Sequence, residues 1–300
     1  MPKLRSLAEE CEGPVRRDTL FTVIQEDFNA FDIETELSER DQRMLRVSLT
    51  ADTRRNLNIL RGVMEAGGTD VSSVVRVLDE RPELLRSLPA YVSVQIIDGC
   101  PQSCSYCPFP LFGGEITTQR NEMDVRRFER IMSQVEDLCE DAVINISLWG
   151  EPALHGDIEA IVDAALGAPR FSVVLETSGV GWPAGVPERI AERHGDRLTW
   201  IVSLDAIDPE LYRSLRGEGF REAKATADLL LRVAPNATYI QSVRTLENEE
   251  ALETFYRTWK EQTDHVIIQK YSTSGGLLPD RKVTDISPLH RFPCWHLKRD

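Results

Sequence analysis

The sequence contains no apolar run long enough to span a membrane, and residues 1–17 are charged where a secretory signal would be apolar. Both absences lead to the expectation of a cytoplasmic protein. Positive charge is also short: 35 Lys and Arg stand against 49 Asp and Glu, a net of −14, which argues against a nonspecific grip on nucleic acid or an anionic membrane. Cysteine is sparse, with six in 300 residues at irregular spacing, and this is not the pattern of a disulfide framework. What is present is an ordinary globular composition on a chain long enough to bury a full core.

Three of the six cysteines nevertheless sit together, in Cys100-Pro-Gln-Ser-Cys104-Ser-Tyr-Cys107, directly after the apolar run 91–97. Three thiolates can hold three corners of a [4Fe–4S] cube and leave the fourth iron open to another ligand. A structural zinc site is the competing reading, but zinc modules pair two half-sites and no second half-site lies nearby. A simple iron–sulfur electron carrier would want a fourth cysteine close by.

From residue 91 onward two textures alternate. Apolar, β-branched runs occur at 91–97, 142–148, 171–175, 198–202, 237–243 and 265–270. Stretches of helical periodicity lie between or after them, at 124–138, 157–166, 187–194, 209–233 and 249–262. Short buried runs separated by helices predict repeated βαβ units and a parallel sheet, either curled into a partial barrel or laid out as a doubly wound open sheet. In both architectures ligands bind at the carboxyl ends of the strands. Polar clusters follow the runs at those ends: the cysteine loop, then Trp149-Gly150-Glu151-Pro152, Glu176-Thr177-Ser178-Gly179 and Ser203-Leu204-Asp205-Ala206. Each alone could be a turn; four in succession favour a shared site.

The cysteine spacing, with aromatic Tyr106 before the last thiol, resembles the signature of the radical S-adenosylmethionine (radical SAM) enzymes. That resemblance implies a partial (β/α)6 barrel, a [4Fe–4S] cluster on Cys100, Cys104 and Cys107, and S-adenosylmethionine (SAM) on the open iron. Gly150, Glu151 and Pro152 resemble the family's Gly-Gly-Glu-Pro motif, which holds the amino group of SAM, although Trp149 stands where the first glycine would be. By the same resemblance Thr177, Ser178, Ser203 and Asp205 face the ribose or methionine portion, and Tyr106 lies near the adenine. Residues 208–217 and 241–249 are similar to the fourth and fifth strand exits of the family, with Arg221, Lys224 and Arg244 as candidate partners for the methionine carboxylate. The implied chemistry is reductive cleavage of SAM to a 5′-deoxyadenosyl radical that abstracts hydrogen from a substrate, with flavodoxin or ferredoxin as one-electron donor. The protein's part is binding, orientation and exclusion of side reactions.

The ends read differently. Residues 1–88 form a mostly helical N-terminal segment, with periodicity at 38–47, 53–65 and 71–88, the last broken at Pro82, and part of it faintly resembles the tail of a nucleotidyltransferase-like domain. Residues 89–285 make the core. Residues 286–300 contain Cys294 and resemble the start of a truncated SPASM extension, the cysteine-rich region that carries auxiliary clusters in that subgroup. The latter resemblance implies a peptide or protein substrate; the former would imply a sugar or nucleotide-sugar. Cys11 and Cys139 have no partners at useful spacing.

Overall fold

From residue 91 onward, strands and helices alternate as the sequence pattern predicts. The computed structural model describes residues 45, 47–112 and 121–283, and the expectations for Cys11, for most of 38–47 and for 286–300 with Cys294 lie outside them. Six parallel strands lie in sequence order, β1 (Tyr91–Ser93), β2 (Ala142–Asn145), β3 (Phe171–Thr177), β4 (Leu198–Ser203), β5 (Thr238–Arg244) and β6 (Val266–Lys270). Every neighbouring pair is parallel, which makes the sheet an open half-barrel with β1 and β6 as its edges. Helices α1 (Arg54–Glu65) and α2 (Val71–Glu80) precede β1. Helix α3 (Val125–Leu138) links β1 to β2, α4 (Ile158–Ala165) links β2 to β3, and α5 (Val186–His194) links β3 to β4. Two helices, α6 (Pro209–Arg216) and α7 (Phe220–Val233), cross from β4 to β5, and α8 (Leu252–Lys260) leads to β6.

The strands alternate as the two-residue period requires. In β3, Phe171, Val173 and Leu175 are buried in one core with Ile161 and Val162 of α4 and Ile190 of α5, while Ser172, Val174 and Glu176 fall on the opposite face. At about 25 cal/mol per Å² of apolar surface removed from water, this continuous layer supplies the main driving force for the fold.

Two elements depart from the sequence reading. The apolar run 91–97 yields only a three-residue strand, because the chain beyond it turns to pair with the far end of the cysteine loop. Ile97 bridges Glu122 antiparallel, and Met123 N–H donates to the Ile96 carbonyl at 2.8 Å. The run 209–233 is two helices rather than one. Gly217 adopts φ +94°, closed to most side chains, and a Cβ there would lie 2.5 Å from Ser103 Oγ.

The compact unit that contains the barrel begins at Val47, so α1 and α2 belong with it. Arg55 of α1 is buried and supplies the link: its Nε donates to the Leu88 carbonyl at 2.8 Å and its Nη2 to the carbonyls of Pro89 and Asp141 at 2.7 and 3.0 Å. Arg55→Ala leaves these acceptors bare, at about 1–3 kcal/mol for each one that water cannot reach. Urea unfolding of this variant is expected to show a loss of about 3 kcal/mol.

Candidate functional site

The cysteine loop leaves β1 and is tied at its base. Asp98 carboxylate oxygens accept from Asn121 N–H and Nδ2 at 2.6 and 2.7 Å, beside the Ile97–Glu122 bridge. On its other flank the loop docks against the end of α6. Ser103 N–H donates to the Arg216 carbonyl at 2.9 Å and Ser105 N–H to the Leu215 carbonyl at 2.8 Å, which satisfies two carbonyls that a helix end leaves without partners. Gln102 Nε2 reaches the Glu218 carbonyl at 2.7 Å, and Tyr212 of α6 donates to Gln102 Oε1 at 3.1 Å.

Beneath the loop is a buried ionic triad. Asp205, at φ +63° in the left-handed region, is held at 1% exposure. Its Oδ1 accepts from Val243 N–H at 2.6 Å; its Oδ2 accepts from Arg216 Nη1 at 2.6 Å and from the Tyr106 hydroxyl. Arg216 Nη1 also donates to Tyr106 Oη at 2.5 Å.

Across from the loop, the β2 exit presents Gly150 and Glu151. A Cβ on Gly150 would lie 2.2 Å from the Ile97 carbonyl oxygen, so only glycine fits this approach. Glu151 N–H donates to the Gly99 carbonyl at 2.9 Å. The Glu151 carboxylate is 2% exposed. Its Oε1 accepts from Thr177 Oγ1 at 2.6 Å and Ala153 N–H at 3.2 Å; its Oε2 accepts from Ser178 N–H at 2.7 Å and Ser178 Oγ at 2.6 Å. Four donors fill the usual acceptor sites of a carboxylate. Farther round the barrel, Glu176 of β3 accepts from Ser203 Oγ of β4 at 3.2 Å and Gln241 Nε2 of β5 at 2.7 Å.

These groups surround one cavity of about 280 Å³ at the carboxyl ends of the strands. Its wall includes Cys100, Cys104, Tyr106 and Cys107 on one side, and Gly150, Glu151, Thr177, Ser178 and Ser203 on another. Pro152 and Asp205 stand behind this wall rather than in it. Arg221, Lys224 and Arg244 do not line it either: Lys224 pairs with Asp228 at 2.6 Å, Arg244 with Glu249 at 2.5 Å, and Arg221 is exposed. The cations in the wall are Arg216 and Lys270, neither of which the sequence reading assigned; Arg216 is the one beside the cysteines. Its signal was a charge four residues after Tyr212, placing both on the buried face of one helix turn. Glu176 and Gln241 were also without an assigned role.

The donor set suits an iron–sulfur cluster. All three thiols are free of disulfides. Burial, with a further contribution from the Glu151 charge, pushes the Cys100 thiol up to about 12, and burial likewise raises Cys104 and Cys107. Without metal these are protonated thiols; coordination to iron removes the proton. Among the described residues no three Cys, His, Asp or Glu side chains converge as one mononuclear ion requires. A cubane places each thiolate on a different iron, and sulfurs spread along a loop fit that demand.

Burial raises the carboxyl pKa of both Glu151 and Glu176 despite their hydrogen bonds. A raised value means that the folded protein binds the proton more tightly than the unfolded chain. The stability this contributes is complete below the ordinary value of 4.5 and is lost as pH climbs through the folded value. Glu176→Gln keeps an acceptor for Ser203 and Gln241 but no longer titrates. Urea midpoints of the apoprotein across a pH series are expected to fall less steeply above pH 4.5 in this variant than in the parent.

A family model described as the Radical SAM superfamily matches residues 94–258. A Treponema pallidum protein described as uncharacterized is 34% identical over 296 residues, covering 94% of this chain and 80% of that one. The PqqA peptide cyclase of Streptomyces rochei is 30% identical over 140 residues, covering 46% of this chain and 36% of the cyclase. The solved structure of Streptococcus suis SuiB bound to precursor peptide SuiA shares the fold, with a TM-score of 0.56 at 17% identity, covering 89% of this chain and 56% of SuiB. The chain thus spans little more than a third of the cyclase and about half of SuiB. With the half-barrel, the cysteine loop at its mouth and the family match over most of the core, the chain belongs to the radical SAM superfamily and is an enzyme whose cofactors are a [4Fe–4S] cluster and S-adenosylmethionine.

Proposed function

We propose that Cys100, Cys104 and Cys107 hold the cluster, that SAM occupies the cavity between them and the β2–β4 exits, and that the substrate is a peptide. The observation that carries this reading is the placement of all three thiols with Glu151, Thr177, Ser178 and Ser203 around one cavity at the strand ends. When bound, the cluster and SAM supply one-electron reductive cleavage and hydrogen-atom abstraction.

The chain's own residues do the rest. Gly150 lets the β2 exit close against Ile97, which brings its backbone up to the cofactor's amino end. Glu151 ties that exit to β3 through Thr177 and Ser178, so its carboxyl group is held in place and cannot swing toward solvent. Pro152 starts the turn that sets Glu151, and Asp205 acts from behind the wall by fixing Tyr106. Ser203, with Glu176 and Gln241, offers a row of hydroxyl, carboxylate and amide suited to a ribose. The far wall is formed by the end of β6, residues 269–272 and 274, and closes the cavity where a substrate would meet the cofactor. Excluding water and stray hydrogen donors there is the main catalytic task of the protein.

The peptide reading is supported by the similarity to the PqqA peptide cyclase and by the fold shared with peptide-bound SuiB. A flavodoxin or ferredoxin fits the need for a one-electron donor, and the cytoplasm is a compartment that keeps such thiols reduced. No helix among the described residues is long and apolar enough to cross a membrane.

Anaerobically reconstituted protein is expected to bind about four irons through these cysteines, to lose them in the triple Cys→Ala variant, and to release 5′-deoxyadenosine and methionine from SAM under dithionite. Iron and sulfide analysis, EPR and chromatography read these outcomes. A peptide encoded beside the gene should change mass only with SAM and reductant together. Full iron content in the triple variant would sink the cysteine assignment, and modification of RNA instead of peptide would overturn the substrate assignment.

A further inference from the structure

Arg216 is a guanidinium at 5% exposure on the buried face of α6, and it lines the cavity that holds the three cysteines. One edge of it is engaged, since Nη1 donates to both Asp205 and Tyr106. Another is not: Nε is buried and has no acceptor. An unpartnered buried N–H costs about 1–3 kcal/mol, and a native fold that keeps one at the rim of a cofactor cavity commonly has a ligand for it.

The three sulfurs differ in what surrounds them. Cys100 follows Gly99, whose carbonyl takes the Glu151 N–H at 2.9 Å, and Cys107 N–H turns back to the Cys104 carbonyl at 3.1 Å. The amides nearest Cys104 go elsewhere: those of Ser103 and Ser105 donate to the carbonyls at the end of α6. Arg216 reaches both flanks of Cys104: its carbonyl accepts from Ser103 N–H at 2.9 Å, and its Nη1 donates to Tyr106 Oη at 2.5 Å. The single hydroxyl proton of Tyr106 is given to Asp205. Of the three cysteines, Cys104 is therefore the one bracketed by contacts to Arg216.

We propose that Arg216 tunes the cluster: the free edge of its guanidinium donates to sulfur at the Cys104 corner, and its charge favours the reduced state. This rests on the assignment of the cluster to the three cysteines. Reduction adds one electron to a centre already carrying three thiolates, so a fixed cation and a hydrogen bond to sulfur both raise the potential. Asp205 and Tyr106 hold the guanidinium by its other edge and keep the donor aimed.

Two measurements on the reconstituted holoprotein, with SAM omitted, test the role. In an EPR-monitored redox titration, Arg216→Gln with full iron content is expected to show at least a tenfold lower ratio of reduced to oxidised cluster at a fixed potential, equivalent to a midpoint about 59 mV more negative. Arg216→Lys, which keeps the charge and loses the planar fork, should fall between. The second measurement needs no variant. Wild-type protein carrying isotopically labelled arginine nitrogen should show hyperfine coupling of the reduced cluster to that nitrogen in pulsed EPR. An unchanged midpoint in iron-replete Arg216→Gln, or a full wild-type cluster without arginine coupling, overturns this role while leaving the cysteine assignment intact. A wild-type protein that takes up no iron overturns the cysteine assignment, and the tuning role with it.

Discussion

The seating of the cysteine loop on the end of α6 is the constraint on which the rest of the site depends. A loop with three cysteines has no apolar side chains of its own to bury at those positions, so its backbone must be fixed by hydrogen bonds. The helix end supplies them, since its last carbonyls have no partners within the helix. Ser103 and Ser105 take two of these, and the Asp205–Arg216–Tyr106 triad secures the segment between Cys104 and Cys107 from below. The helix break at Gly217 follows from the same contact, because only a residue without a side chain leaves room for Ser103.

The opposite wall solves a different problem. Glu151 is a buried carboxylate with no cation among its hydrogen-bond partners, which is normally unfavourable. Four donors from residues 153, 177 and 178 take the place of water and spread the charge over backbone and hydroxyl dipoles. The outcome is a carboxyl group fixed in the wall across from the cysteines, with the cations of Arg216 and Lys270 in the same lining. Polar groups fixed in advance around a cavity need little reorganisation when a charged ligand enters it.

Much of this was legible in the sequence, for definite reasons. Buried parallel strands leave short apolar runs, and the six runs correspond to the six strands. Helix starts were legible where a capping side chain is present, as at Thr53, Asp124 and Asp208. Less legible were features decided by contact between distant segments. Nothing local in 91–97 says that Ile97 will leave the sheet to meet Glu122, nor that Asp205 will adopt a left-handed backbone and turn its carboxylate away from the cavity. Arg221, Lys224 and Arg244 are cations of the expected type that do not line the cavity, and only the three-dimensional path of α7 and β5 shows it. Arg216 was hidden by the opposite effect: a charge on a buried face looks like an exception until the triad around it is seen.

Arg55 bears on where this protein can be cut. The family match starts at residue 94, and a fragment begun there would contain every cavity-lining residue. It would also remove the guanidinium from the Asp141 carbonyl at the start of β2 and expose the apolar inner sides of α1 and α2's packing partners. A minimal soluble piece must therefore begin before α1, some forty residues ahead of the first strand. The smallest unit that folds is larger than the smallest unit that holds the chemistry.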